Sequence, residues 1–242
     1  MQTCKKCGNP FDSIYTQDLC DACLDKEQEL ETIEKRKASS LMLPKHLSMR
    51  FENYRMPSEQ IHNLAMKFIQ HPPTINLYIY GNAGSGKTHL LSAIANTIVE
   101  NVKLPEVVFY RSVDLLDVIR KIMIQDSAEA ASEFIAKLTA RRHYLFLDDI
   151  GVEKVTDMVL EKLYLLFDDI ELYEKKGVAI ASNFSPQALV ERLGDDRVVD
   201  RIVGNFVVVE MRNKSGRIIQ HQKNKKEVIT DGVQQKVTVR KD

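Results

Sequence analysis

The chain lacks a long apolar run. No stretch of its 242 residues approaches the about 20 consecutive apolar residues of a membrane-spanning helix, and Met1–Pro10 is polar, without the apolar centre of a signal peptide. An excess of charge of either sign is also absent, because 34 Lys and Arg balance 34 Asp and Glu. The balance excludes a uniformly basic coat for nucleic acid and leaves local patches open. We therefore expect a cytoplasmic protein with no membrane partner.

Glycine and proline are scarce, with 10 and 7 residues. The hydrophobic fraction is 44% and the charged fraction 28%, which is ordinary globular composition and excludes a disordered or collagen-like chain. So few chain-breaking residues favour a helix-rich fold with short connections.

Cysteine is absent from residues 24–242, since all four cysteines lie near the N-terminus. They form two C-x2-C pairs: Cys4, Cys7, Cys20 and Cys23. Each pair can place two thiolates about 2.3 Å from one tetrahedral Zn²⁺. Four unrelated thiols or a redox pair remain alternatives. The spacing predicts a structural Zn²⁺ site in a small module that binds a partner.

A charged segment follows the cysteines. Residues 25–38 contain neither glycine nor proline, and acidic residues precede basic ones, as the helix dipole prefers. We expect a solvated linker helix here. The predicted division of the chain is a zinc module (1–24), a linker helix (25–43), a core domain (44–211) and a basic tail (212–242).

Short apolar runs alternate with helical periods from residue 75 onwards. The predicted strands are Ile75–Tyr80, Val107–Tyr110, Tyr144–Asp148, Val178–Ser182 and Phe206–Glu210. The predicted helices are Thr88–Glu100, Val113–Ile124, Ala128–Ala140 and Asp157–Lys176, with further helical segments to about Val203. This alternation predicts an α/β domain with a parallel sheet flanked by helices.

A phosphate-binding loop lies between the first predicted strand and the following helix. The residues Gly81, Asn82, Ala83, Gly84, Ser85, Gly86, Lys87 and Thr88 fit the pattern G-x-x-x-x-G-K-[ST]. Glycines let backbone N–H groups turn inward to phosphate oxygens, and the helix dipole favours the same anion. Lys87 is expected to reach the β- and γ-phosphates of ATP, and the Thr88 hydroxyl is expected to ligate Mg²⁺.

The tripeptide Asp-Asp-Ile occurs twice, and only one copy ends an apolar strand. Asp148 and Asp149 follow Tyr144–Leu147, whereas Asp168 and Asp169 lie within a helical period and are expected on a solvated helix face. We expect Asp148 to hold Mg²⁺ and Asp149 to orient or deprotonate the attacking water.

These residues resemble the AAA+ ATPases and, among them, the DnaC/DnaI-type replicative helicase loaders. The resemblance runs from about Leu43 to Arg217, and a zinc module ahead of the ATPase resembles the DnaI-like arrangement. Its motifs here are FENY (51–54), GNAGSGKTHLLSAIAN (81–96), YLFLDDIGVEK (144–154), ASNFS (181–185) and RLGDDRVVDRIVGN (192–205). The resemblance implies a P-loop AAA+ fold.

The resemblance assigns further roles. Asn183 matches a polar residue that positions the attacking water, and His89 extends the nucleotide-binding residues. Arg201 matches an arginine finger that acts in trans on a neighbouring subunit, with Arg197 as the second choice. Arg217 matches a second sensor of the nucleotide. Without the resemblance, Arg197 and Arg201 would be expected to pair with nearby acidic residues on a surface helix.

The resemblance also indicates where ligands lie. Phe51–Tyr54 would contact the adenine, and the helices between Val113 and Ala140 occupy the place of a DNA-contacting insertion. The basic residues available there are Arg111, Arg120, Lys121, Lys137, Arg141 and Arg142. The basic tail contains two short β-rich runs around Asp231-Gly232, which predict a hairpin.

The resemblance implies an ATP-dependent helicase loader for DNA replication. Its partners would be the hexameric replicative DNA helicase, single-stranded DNA and, on ATP binding, further copies of this chain. Two alternatives remain: an IstB-type transposition helper ATPase acting on duplex DNA, and a nucleotide-gated adaptor with negligible hydrolysis.

Overall fold

A computed structural model describes residues 2–12, 18–102, 106–139, 143–152 and 156–212. Arg141, Arg142, Arg217 and the predicted hairpin of the tail lie outside the described residues.

A five-stranded parallel sheet forms the centre of the protein. Two short strands near the N-terminus, β1 (Gln2–Thr3) and β2 (Pro10–Phe11), form a separate sheet. The strands of the central sheet are β3 (Leu77–Gly81), β4 (Glu106–Arg111), β5 (His143–Ile150), β6 (Val178–Ser182) and β7 (Val207–Met211). Their order across the sheet is β4-β5-β6-β3-β7, and every pairing is parallel. The predicted α/β fold is confirmed, and the strand ends differ from the predicted ones by at most two residues.

Helices cover both faces of this sheet. They are α1 (Asp21–Ser39), α2 (Pro44–Leu47), α3 (Glu59–Ile69), α4 (Lys87–Asn101), α5 (Ser112–Gln125), α6 (Ala128–Thr139), α7 (Asp157–Leu172), α8 (Pro186–Leu193) and α9 (Arg197–Asn205). Residues of α3 and α4 pack with the sheet in one apolar core, and residues of α5 to α9 pack in the other. None of the helices in the described ranges is long and apolar enough to cross a bilayer.

Local chemistry sets the ends of several helices. Ser58, Thr156 and Ser185 accept hydrogen bonds from backbone N–H groups in the first turns of α3, α7 and α8. The predicted end of α7 at Lys176 is wrong, because the helix ends at Leu172. Glu174 adopts a φ of +46° there, and the Lys175 N–H donates to the Ile170 carbonyl at 2.8 Å, which closes the helix before Gly177.

Helix α1 joins the cysteine segment to the α/β core. It starts at Asp21, so Cys23 lies in its first turn and residue 24 lies within a helix. The sequence predicted a solvated linker helix, but the last turns of α1 contact the core. The Arg36 guanidinium donates to the Val102 carbonyl at 2.9 Å, and the Phe109 N–H donates to the Ser40 carbonyl at 2.9 Å, so the end of α1 is fixed to α4 and to the edge strand β4.

Candidate nucleotide site and metal cluster

The predicted phosphate-binding loop connects β3 to α4 at the carboxyl end of the sheet. Gly81, Gly84 and Gly86 have φ values of +151°, +78° and +99°, which favour glycine. A Cβ at Gly81 would lie 2.3 Å from the Met211 carbonyl oxygen. Gly81 is therefore required both by the loop and by the approach of β7.

Lys87 places its ammonium group at the centre of this loop. Its side chain is 5% exposed, and Nζ donates to the Gly81 carbonyl at 2.7 Å, the Asn82 carbonyl at 3.0 Å and Asn183 Oδ1 at 2.9 Å. The structure thus brings Asn183, from the end of β6, to the loop lysine. These two predicted site residues, far apart in the chain, lie in one cluster.

Asp148 lies at the end of β5 beside Thr88. The Thr88 hydroxyl donates to Asp148 Oδ1 at 3.1 Å, and Asp148 is 3% exposed. Burial, with the nearby charge of Asp149 as the second cause, raises the pKa of Asp148 to about 6. A hydroxyl and a buried carboxylate are oxygen donors of the kind that Mg²⁺ prefers, so these side chains fit a Mg²⁺-nucleotide.

Asp149 has an unusual backbone conformation. Its φ is +60°, and the pairing of β5 with β6 shifts register between Leu147 and Ile150. The Asp149 carbonyl accepts a hydrogen bond from the Ser112 hydroxyl at 3.0 Å. Positive φ in a residue other than glycine is found often at functional sites, where surrounding contacts hold it in place.

Tyr54 covers the loop at its other side. Its ring lies 4.8 Å from the His89 ring, centroid to centroid, and a Cβ at Gly86 would lie 3.0 Å from Tyr54 Cε2. The Tyr54 hydroxyl is buried without a hydrogen-bond partner among the described residues, and a buried orphan of this kind fits a wall that contacts a polar ligand. Phe51 forms part of a 3₁₀ turn, Phe51–Asn53, that precedes Tyr54.

Sequence reasoning missed a polar stripe on α4. His89, Asn96 and Glu100 are separated by seven and four residues and so share one helix face. The Asn96 amide donates to the His46 and Met49 carbonyls at 2.9 and 2.8 Å. The spacing was visible in the sequence, but nothing in the sequence showed that a chain segment covers this face.

Arg201 contacts residues of its own chain. Its guanidinium donates to Asp168 Oδ1 at 2.7 Å and to the Tyr164 hydroxyl at 2.7 Å, and it lies 4.2 Å from the centre of the Tyr164 ring. Asp168 thus belongs to a helix, as expected for the second Asp-Asp-Ile, and ties α7 to α9. Arg197 is more exposed and pairs with Asp195 at 2.6 Å.

Two of the basic residues proposed for DNA contact are paired with carboxylates. Arg111 donates twice to Asp114 at 2.6 Å, and Arg120 donates to Asp117 at 2.9 Å. Lys121 and Lys137 are exposed. A DNA contact made by Arg111 or Arg120 would therefore have to compete with Asp114 or Asp117.

The four cysteines lie together. Their sulfur atoms are all within 4.8 Å of one another, and Cys7 Sγ lies 3.8 Å from Cys20 Sγ, which matches the about 3.8 Å between ligand atoms of a tetrahedral Zn²⁺ site with 2.3 Å bonds. Backbone N–H groups near Cys7 and Cys20 lower the pKa of Cys4 to about 6. The donor set fits Zn²⁺.

The sheet and the loop define the class of the protein. A P-loop after β3 and an acidic pair at the end of β5, with β6 between these strands, are the arrangement of an AAA+ P-loop ATP-binding protein. A family model described as IstB-like ATP binding protein matches residues 13–225. The chain belongs to this family of IstB-like ATP-binding proteins.

Individual relatives are replication proteins. The chain is 31% identical over 170 residues to the chromosomal replication initiator protein DnaA of Thermotoga petrophila, covering 69% of this chain and 37% of that protein. It therefore spans little more than a third of that relative.

Two solved structures share the fold. The DnaC helicase loader is 22% identical with a TM-score of 0.57, covering 70% of this chain and 100% of that one. The replication initiator DnaA bound to AMPPCP and single-stranded DNA is 21% identical with a TM-score of 0.58, covering 77% and 56%.

Proposed function

We propose that this chain is an ATP-hydrolysing helicase loader, which binds the replicative helicase through its cysteine module and places it on single-stranded DNA. The observation that carries the proposal is the union, on one chain, of the Lys87–Asn183–Asp148 cluster with a four-cysteine cluster at the start of α1. Structural Zn²⁺ sites are closed and serve folding rather than catalysis, so the module is suited to holding a partner.

The proposed chemistry assigns one task to each side chain. The loop N–H groups and Lys87 bind the β- and γ-phosphates of ATP, and Thr88 with Asp148 would hold Mg²⁺, which supplies positive charge to the phosphate oxygens. Asp149 orients or deprotonates the attacking water, and Asn183 positions that water. Arg201 of one subunit stabilises the charge that develops on the γ-phosphoryl group in its neighbour.

The two solved structures described above support the proposed classes of partner. One solved relative is a helicase loader and another holds single-stranded DNA and a nucleotide analogue. We propose the same classes of partner here: the hexameric helicase, single-stranded DNA and, when ATP is bound, other copies of this chain.

The decisive experiment measures loading directly. The full chain, the replicative helicase, ATP and circular single-stranded DNA are combined, and DNA-bound helicase is isolated and quantified. We expect loading by the wild-type chain and at least about a tenfold loss with Lys87→Ala, because the ammonium is the centre of the phosphate site. Loading that is equal with and without the wild-type chain would contradict the proposal, and full loading by the wild-type chain with AMPPCP in place of ATP would support the non-hydrolysing adaptor.

The family match favours a second candidate. The match is to an IstB-like ATP-binding protein, and the candidate is a transposition helper ATPase that would assemble on duplex DNA. The same preparation, tested for ATP-dependent binding to long duplex and to oligo-dT, separates the two functions. Binding to duplex without retention of the helicase would favour the transposition helper.

A further inference from the structure

The chain segment before α3 is attached to α4 at two points. At one end, His89 Nε2 donates to the Arg50 carbonyl at 3.0 Å and to Asn53 Oδ1 at 2.9 Å, while Tyr54 lies against Gly86 of the phosphate loop. Near the C-terminal end of α4, the side chain of Arg50 reaches Glu100. We call residues 50–54 the cover segment.

The contact between Arg50 and Glu100 is bidentate. Arg50 Nη1 and Nη2 donate to the two Glu100 oxygens at 2.6 and 2.7 Å, a geometry that fixes direction as well as distance. The Glu100 side chain is 24% exposed, so solvent screens the pair only in part. Arg50 holds the pKa of Glu100 below its usual range.

Glu100 also contacts the helix that carries Cys23. Lys37 Nζ, near the end of α1, lies 3.5 Å from Glu100 Oε1, and the Lys37 side chain is 19% exposed. The neighbouring Arg36 donates to the carbonyl of Val102, two residues after Glu100. One carboxylate thus links the cover segment to α1.

We propose that Glu100 is a positioning residue for the nucleotide: through Arg50 it holds Tyr54 over the phosphate loop, and through Lys37 it joins this site to the cysteine-bearing helix. The inference rests on the proposed ATP function. It predicts reciprocal coupling, since nucleotide that stabilises the cover segment must also stabilise the end of α1.

The first test compares nucleotide affinity in full-length variants. Glu100→Gln keeps the shape but removes the charge, and it should weaken binding of a fluorescent ATP analogue about tenfold while kcat at saturating ATP stays within about twofold. The matched control is Glu31→Gln, which breaks the exposed Glu31–Lys35 pair on α1 and should leave the affinity unchanged. The double variant Arg50→Glu with Glu100→Arg should restore affinity to within about threefold of the wild type.

The outcomes separate the proposals. Wild-type protein that binds no ATP contradicts the ATP function and the positioning role together. Wild-type protein that binds ATP no more tightly than Glu100→Gln overturns only the positioning role. If Glu100→Gln does not fold, the nucleotide affinity of Arg50→Glu is compared with that of the double variant. A double variant that binds nucleotide no more tightly than Arg50→Glu overturns the positioning role of Glu100.

The second test follows α1 by hydrogen exchange. In the wild type, AMPPCP should slow the exchange of backbone amides at residues 34–40 several-fold. In Glu100→Gln, AMPPCP should leave the exchange rates of these amides unchanged. No effect of nucleotide on these amides in wild-type protein that binds it would overturn the link to α1.

Discussion

The carboxyl group of Asp148 is the clearest case in which the fold changes the chemistry of one residue. Burial raises its pKa to about 6, above the value in the unfolded chain, so the folded state binds this proton more tightly. The contribution of Asp148 to the free energy of unfolding therefore falls as pH rises from the ordinary pKa of an aspartate to about 6, and it is lowest above about pH 6.

Asp148→Asn should stabilise the metal-free protein at pH 7.5. The substitution removes the buried charge and keeps an oxygen that accepts from Thr88, so we expect the free energy of unfolding to rise by about 1–3 kcal/mol. Urea denaturation in EDTA measures this, and the gain should disappear towards pH 4. Mg²⁺-dependent nucleotide binding should be lost in the same variant. Asp117→Asn, on an exposed part of α5, is the control. Equal stability of Asp148→Asn and the wild type at pH 7.5 would contradict the raised pKa of Asp148.

At this scale the sequence was most informative where a motif fixes both residue and spacing. Lys87 and Thr88 follow from the loop pattern, and Asp148 from its place after an apolar strand. The partners of Arg201 and the buried imidazole of His46, whose nitrogens lack hydrogen-bond partners among the described residues, were not predictable. These contacts depend on how helices far apart in the chain pack, which local periodicity does not record.

Among the elements, the cysteine segment has the least support of its own. Strands β1 (Gln2–Thr3) and β2 (Pro10–Phe11) contain two residues each, too few to be stable alone in water. The Cys4 N–H donates to the Asn9 carbonyl and the Gly8 N–H to the Cys4 carbonyl, so the turn is built around the first cysteine pair.

Removing the metal should therefore unfold this segment alone. Purified protein is expected to contain one Zn²⁺ per chain, and a strong chelator should abolish protection from hydrogen exchange at residues 2–12. Amides of β3, β5 and β6 should keep their protection, because the sheet has its own apolar cores. Cys4→Ser should reproduce the effect without chelator. Protection at residues 2–12 that survives complete zinc removal would contradict the structural role.

Helix ends show what periodicity leaves out. The apolar pattern placed α7 correctly, but its end depends on a backbone hydrogen bond to Ile170 and on the positive φ of Glu174. A positive φ cannot be predicted from a glutamate in the sequence. Likewise, the charges of α1 indicated a helix but not its contact with Val102, because backbone carbonyls carry no sequence signal.

For the whole molecule, the position of Arg201 bears on assembly. An arginine that acts in trans must leave Asp168 and Tyr164 of its own chain, and these contacts also tie α7 to α9. If Arg201 acts in trans as proposed, its loss would affect both the stability of its own chain and the activity of the neighbouring subunit, and a single substitution does not separate the two effects.

Asp168→Asn separates them. Both Asp168→Asn and Arg201→Ala lose the ion pair between α7 and α9, so both should lower the free energy of unfolding, Asp168→Asn by about 1 kcal/mol and Arg201→Ala by more, because it also loses the contacts with Tyr164. Only Arg201→Ala should lower ATP hydrolysis by about 10³-fold or more, because only this variant lacks the guanidinium. Mixing Arg201→Ala with Lys87→Ala should restore part of the activity, since one subunit then supplies the arginine and the other an intact phosphate site. If the two single variants lose activity equally and the mixture stays inactive, Arg201 is a structural residue, and the same mixing experiment with Arg197→Ala tests the second candidate.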